Sequence, residues 1–474
     1  MSGFFGEVSP NDCVDNVYYG TDYHSHLGTK RGGLAYYSKE SGFQRAIHSL
    51  ENSYFRTKFE DDIKNFSGNL GIGCISDTDS QPVMKFSKLG TFAIVTVAKI
   101  NNLKEISEKL LNEGMSFSET TQGDIHPSEV VSMLICEKNN FVDGIINVFQ
   151  TIKGSCSMLI LQKDEIIAAR DKFGRTPIVV GHRPEDNAYC VASESASFLN
   201  LGFKIYEYLG PGEIVSITTN GIKRLKAPEE KMQICSFLWV YYGYPPSFYE
   251  NINVDKTRYA CGQKLAESDG KMGVDFVAGI PDSGVGHALG YSNSMQVPYL
   301  RPYVKYTPTW PRSFMPQKQE QRELVAKMKL IPNSDIIKGM RGVFLDDSIV
   351  RGTQLRDNVK DLRDNGIKEI HMRIACPPLI YPCEFLNFSR SRSSMELATR
   401  KAVKKIVGGS LEGVDWKKYT DPDTPEYKAM VDEIRKELDL TSLKFQRLED
   451  LVAAIGLPKC KLCTHCFDAS SYGQ

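Results

Sequence analysis

The stretch Gly342-Val343-Phe344-Leu345-Asp346-Asp347-Ser348-Ile349-Val350-Arg351-Gly352-Thr353 limits the fold more than any other part of the chain. Val343, Phe344 and Leu345 form an apolar run that ends in two adjacent carboxylates and a small-residue loop. Beyond Thr353, Leu355, Val359 and Leu362 recur at i, i+4 and i+7, the spacing of one helix face. Asn365-Gly366 then stops the helix. Ile370, Met372 and Ile374 alternate with polar residues, as a half-buried strand does. The spacing predicts a β-loop-α-β unit. Its loop lies at the carboxyl end of a strand, where open α/β sheets bind ligands.

The residue types in that loop suit a ribose 5-phosphate group. Asp346 and Asp347 can accept hydrogen bonds from two vicinal hydroxyls, or hold a metal that a sugar pyrophosphate brings with it. Backbone N–H groups of Ser348, Ile349, Val350, Arg351, Gly352 and Thr353 would wrap a phosphate, helped by the positive end of the following helix dipole. Gly352 permits the close backbone approach such a cradle needs. An ordinary strand-to-helix turn capped by Asp is the plain alternative. It needs one carboxylate, not two side by side.

At 474 residues the chain is long enough for two or three domains with their own cores. Its 58 basic and 58 acidic residues balance, so no global field argues for nucleic acid or a membrane surface. No apolar run has membrane-spanning length. Twelve cysteines without a basic-then-apolar signal segment predict a reducing, cytoplasmic setting, with thiols in cores, catalysis or metal sites. No repeat or low-complexity segment interrupts the chain.

The acidic loop resembles the phosphoribosyl pyrophosphate (PRPP) loop of phosphoribosyltransferases, and Asp-Ser-Ile-Val-Arg-Gly-Thr is the wording of the glutamine PRPP amidotransferase (amidophosphoribosyltransferase) family of purine synthesis. The resemblance implies an N-terminal-nucleophile (Ntn) hydrolase-like αββα sandwich over residues 1–230. A type I phosphoribosyltransferase α/β domain with a parallel sheet would follow over 231–474. In the first half it rests on Gly3-Phe4-Phe5-Gly6, Arg170-Asp171-Lys172-Phe173-Gly174, Ala192-Ser193-Glu194-Ser195 and Gly210-Pro211-Gly212-Glu213-Ile214. Short apolar runs there, such as those around Val95, Ile160 and Val215, read as strands. Asn220-Gly221 reads as a tight hairpin turn.

The glutaminase chemistry of that family is altered here. Its nucleophilic cysteine, with its own α-amino group as base, matches Ser2. Its His-Arg-Gly matches His26-Leu27-Gly28, and its substrate-clamping arginine falls at Ser76. Its oxyanion-hole Asn-Gly falls at Val97-Ala98, and the aspartate that reads the substrate amino group falls at Pro127. One oxyanion donor is worth about 10²–10³ in rate, so these changes together predict a pseudo-glutaminase. A working serine glutaminase is the opposing reading.

In the second half, the run from Phe276 to Ile280 predicts a strand ending in Pro281-Asp282-Ser283-Gly284. That turn resembles the family's pyrophosphate-binding turn. By resemblance, Ser283, Asp346 and Asp347 lie near Mg²⁺. Lys305 and Arg312 would meet PRPP phosphates, with Arg322 at the edge of the site. Pro308 and Pro311 stiffen what is in the family a closing loop, and its Asn-Arg-Tyr core is gone. Cys463-Thr464-His465-Cys466 is a C-x-x-C compatible with zinc or redox chemistry. With Cys235 and Cys383 it matches the four thiolates of the family's iron–sulfur branch, so the resemblance implies a structural 4Fe-4S cluster. Residues 400–443 look like a charged helical connection longer than the family's.

Two function classes follow. One is a transferase forming 5-phosphoribosylamine from PRPP and ammonia or another amine. The other is a non-catalytic PRPP or nucleotide sensor, or a regulatory paralogue. Purine nucleotides are candidate ligands, and a homodimer or homotetramer is the inherited expectation.

Overall fold

The computed structural model describes residues 2–121, 123–305, 330–386 and 394–471. Its first half is built on two antiparallel sheets. The seven-stranded sheet runs Lys204–Tyr208, Val179–Arg183, Ala188–Ala192, Ser2–Val8, Leu70–Ser76, Arg31–Ser38, Gly42–Ser49. The six-stranded sheet runs Gly221–Lys226, Ile214–Thr218, Ile166–Ala169, Gly154–Leu161, Gly90–Ile100, Val83–Ser87.

Strand periodicity sorts the side chains into layers, because successive residues point to opposite faces. Phe4 joins Ile72, Val95 and Leu159 in an apolar layer between the sheets. Its neighbour Phe5 packs outward with Val17 and Phe59 of the helices Val14–Asp22 and Phe55–Ile63. On the other sheet, Ile94, Met158 and Ile160 pack with Val130, Leu134, Ile145 and Val148 of Pro127–Cys136 and Phe141–Thr151. The result is the expected αββα sandwich. The expected hairpin joins Ile214–Thr218 to Gly221–Lys226, and Gly221 closes it at φ +120°.

The second half holds a four-stranded parallel sheet in the order Phe276–Gly279, Arg341–Asp346, Glu369–Ile374, Ser442–Phe445. Val277, Val343 and Leu345 face Leu265, Ala288 and Tyr291 of the helices Val254–Asp269 and Val285–Met295. Phe276, Ala278, Phe344 and Met372 face the other way, against Leu355, Val359 and Leu362 of Thr353–Asp364. Asn365 ends that helix, as its sequence predicts. Residues 400–443 supply the helices Ala398–Ile406 and Pro425–Glu437 and the start of the last strand.

Candidate functional site

The acidic loop lies where two parallel strands end together. Leu345 stands opposite Gly279 in register, and the Ile280 N–H donates to the Leu345 carbonyl at 2.9 Å. The following turn packs against this carbonyl so closely that a Cβ on Gly284 would stand 2.1 Å from it. That contact fixes the Asp282-Ser283 turn over the acidic pair. Ser283 Oγ donates to Asp346 Oδ1 at 3.1 Å, and the Asp347 N–H donates to the same oxygen at 2.9 Å. Ser348 Oγ donates to Asp347 Oδ1.

Burial, then the adjacent Asp347 charge, pushes the Asp346 carboxyl well above its usual range. Burial raises Asp347 too, with Arg258 the cation that opposes it. Two crowded, desolvated carboxylates call for positive charge, which a divalent cation or a ligand bringing one supplies. Gly352 then takes φ +75° and the helix Thr353–Asp364 begins, so N–H groups and a helix N-terminus face the same loop. Ile349 is buried, and the Val350 carbonyl accepts from Ala398 N–H at 2.8 Å.

The expected cations are engaged by carboxylates. Lys305, on Tyr303–Lys305, pairs with Asp282, and Arg351 pairs with Glu396 at 2.5 Å. Glu396 was not found from sequence, because nothing local relates it to the loop. Arg312 and Arg322 lie outside the described residues.

The second constellation begins at Ser2. Ser2 and Ser76 are register partners on neighbouring strands, and Ser2 Oγ donates to Ser76 Oγ at 3.0 Å. Ser76 Oγ donates onward to Asp79 Oδ1 at 3.2 Å. Asp79 also accepts from Thr78 Oγ1 at 2.7 Å, Gln81 Nε2 at 3.0 Å and Ser128 Oγ. Thr96 Oγ1 meets Ser128 Oγ at 2.8 Å. Thr96 directly precedes Val97-Ala98, and Ser128 directly follows Pro127. Four of the positions singled out in sequence therefore sit on or beside one buried network. Nothing in the sequence points to its centre, Asp79, because an Asp in a loop carries no distinguishing local signal. Burial would raise its carboxyl, but His126 and the surrounding donors outweigh this and hold it below the usual range.

Nearby, His26 Nε2 lies 2.5 Å from Glu194 Oε1. Tyr249 OH and Tyr244 N–H donate to Glu194 Oε2 at 2.7 and 3.2 Å. Burial raises the Glu194 carboxyl, yet the facing His26 and these donors hold it at about 2.

The third constellation is sulfur-rich. The short strands Ile234–Cys235 and Leu462–Cys463 pair in parallel and set Cys235 opposite Cys463. Cys466 follows on His465–Asp468, and its carbonyl accepts from the Ile380 and Tyr381 N–H groups at 2.9 and 3.1 Å. Burial pushes the Cys466 thiol up, with Cys235, Cys383 and Cys463 adding to it in turn, so the four thiols are mutual neighbours. All are free. Four neighbouring thiols are the donor set that a soft metal centre takes. Among the described residues, no three or more His, Cys, Asp or Glu are placed to hold a single metal ion.

Comparison with known proteins places these sites in context. A family model described as "Glutamine amidotransferase domain" matches residues 69–200. An amidophosphoribosyltransferase of Archaeoglobus fulgidus is 30% identical over 420 residues, covering 86% of this chain and 88% of that protein. The amidophosphoribosyltransferase of Mus musculus is 32% identical over 359 residues, covering 68% of each. The solved glutamine PRPP amidotransferase of B. subtilis, complexed with ADP and GMP, superposes with a TM-score of 0.84 at 26% identity. That match covers 99% of this chain and 97% of the other.

Proposed function

The chain belongs to the amidophosphoribosyltransferase family, and from that premise we propose that it forms 5-phosphoribosylamine from PRPP with free ammonia, its glutaminase having been lost. The carrying observation is the pair of half-buried Asp346 and buried Asp347 under Ser283, beside a loop that leads into a helix N-terminus.

Asp346 and Asp347 would hold the ribose hydroxyls or Mg²⁺, with Ser283 beside them. Ser348, Ile349, Val350, Arg351, Gly352 and Thr353 would hold the 5-phosphate, and Asp282, Lys305 and Arg312 the pyrophosphate end. Ammonia attacks carbon 1 as the bond to pyrophosphate breaks, the electron pair leaving with the pyrophosphate oxygen. No side-chain nucleophile is required, so positioning and electrostatics supply the rate. Bound Mg²⁺ would neutralise charge on the departing pyrophosphate.

Residues 1–230 would be the former glutaminase and 231–474 the transferase. Ser2, Ser76 and Asp79 satisfy one another where an attacking thiolate and a substrate clamp would be needed. Cys235, Cys383, Cys463 and Cys466 would hold a 4Fe-4S cluster of structural role. The ADP and GMP of the B. subtilis complex support purine nucleotides as ligands, and a homodimer or homotetramer is the assembly to test. No helix among the described residues is long and apolar enough to cross a membrane, which accords with a cytoplasmic site of action.

The test is pyrophosphate release by anaerobically purified protein given PRPP, Mg²⁺ and either ammonium or glutamine. Release with ammonium alone is expected. Release with glutamine overturns the loss of the glutaminase. Silence with both, with PRPP still bound, replaces the enzyme by a sensor.

A further inference from the structure

The loop that carries Cys383 is gripped from the sandwich. Lys99 and Ser155 are register partners on the neighbouring strands Gly90–Ile100 and Gly154–Leu161. Lys99 Nζ donates to the Cys383 carbonyl, and Ser155 Oγ donates to the Phe385 carbonyl at 2.6 Å. Between them, Asn101 Nδ2 donates to the Glu384 carbonyl at 2.8 Å. Three consecutive carbonyls thus end on one sheet. The Phe385 ring lies under the Arg175 guanidinium, 3.7 Å from its carbon, and Leu386 N–H points at Cys383 Sγ at 3.3 Å.

The same part of the sandwich fixes a second thiol. Cys235 N–H donates to the Arg175 carbonyl at 3.1 Å, and Gln233 N–H to the Phe173 carbonyl at 2.7 Å. Arg175 is 1% exposed, and its guanidinium reaches the Cys463 thiol as a hydrogen-bond donor. Arg175 therefore meets three of the elements that bring the thiols together, two through its buried guanidinium and one through its backbone carbonyl.

We propose that the sandwich is the scaffold of the four-thiol site, with Lys99, Asn101 and Ser155 fixing the Cys383 loop and Arg175 acting as a positioning cation beside the sulfurs. This gives the N-terminal half a task independent of glutamine. The proposal rests on reading Cys235, Cys383, Cys463 and Cys466 as cluster ligands. Groups that orient metal ligands typically set affinity by about ten- to a hundredfold, and positive charge beside a cluster favours its reduced, more negative state.

The experiment measures iron and sulfide content, the rate of iron loss to a chelator, and the reduction potential, all on full-length protein purified anaerobically. The double variant Lys99→Met with Asn101→Ala alters two side chains that reach carbonyls from the sandwich surface. It should fold as the parent does and lose iron about tenfold faster. Arg175→Gln should shift the potential negative, and Arg175→Lys should restore most of it. Wild-type protein without iron and sulfide overturns the underlying ligand reading. Wild-type protein with a cluster, and variants matching it in iron loss and potential, overturns the scaffold alone. Should Arg175→Gln fail to fold, the double variant decides.

Discussion

Asp347 is a carboxylate that burial disfavours, at the position proposed to meet a ligand. It is 6% exposed and sits beside Asp346, both carboxyls raised by burial. Asp347→Asn removes the crowding, so the melting temperature should hold or rise. Pyrophosphate release should fall about a hundredfold, the scale of a lost electrostatic contact. Glu7 gives a pH test away from the site. Burial lifts its carboxyl to about 7 despite the Arg183 pair. A raised folded pKa adds stability below the unfolded value, 4.5, which is lost as pH rises to about 7. Wild type should therefore lose stability relative to Glu7→Gln across that window, by up to about 3 kcal/mol. Denaturant midpoints at pH 5 and pH 8 measure it. Ser2→Cys bears on the proposed loss of the glutaminase. With Ser76 and Asp79 still bonded to each other, it should release no glutamate from glutamine.

The elements around the acidic Asp346-Asp347 loop owe their placing to close backbone contact. Gly284 ends the Asp282-Ser283 turn against the Leu345 carbonyl, where a Cβ has 2.1 Å. Gly284→Ala must push the turn and the helix Val285–Met295 off the strand end. A cost of about 1–3 kcal/mol follows from overpacking, together with a loss of PRPP-dependent activity larger than the loss of folded protein. Calorimetry and pyrophosphate release on one preparation separate the two. Earlier in the chain, residues Leu238–Tyr242 form a π-helical turn, which local periodicity could not announce. Its carbonyls are collected by Arg258, donating to Trp239, Tyr241 and Gly243 at 3.0, 2.8 and 2.8 Å. A buried arginine 15 to 19 residues downstream holds that turn, so its signal is tertiary.

Across the whole molecule, Glu194 joins the two halves. It belongs to the sandwich, faces His26 there, and accepts from Tyr244 and Tyr249 of the following segment. Glu194→Ala strands His26 and two donors. Removing one partner of a buried pair typically costs about 3 kcal/mol or more. The expected sign is two unfolding transitions where the parent shows one, read by fluorescence and far-ultraviolet dichroism together. Coincident transitions at the parent's midpoint would refute a coupling role for this carboxylate.

What short-range physics encodes is legible along the chain. The period of Leu355, Val359 and Leu362 set one helix, the alternation at Ile370, Met372 and Ile374 set a strand, and Asp346-Asp347 marked the strand end. The family motifs supplied the order of the two halves. Which distant groups meet is set by the folded arrangement. Cys235 and Cys463 pair across 228 residues, Asp79 gathers donors from a strand and a distant helix, and Lys99 and Ser155 reach the Cys383 loop. Those partnerships depend on sheet register and burial, and a polar side chain carries no local mark of the partner that will satisfy it once water is excluded.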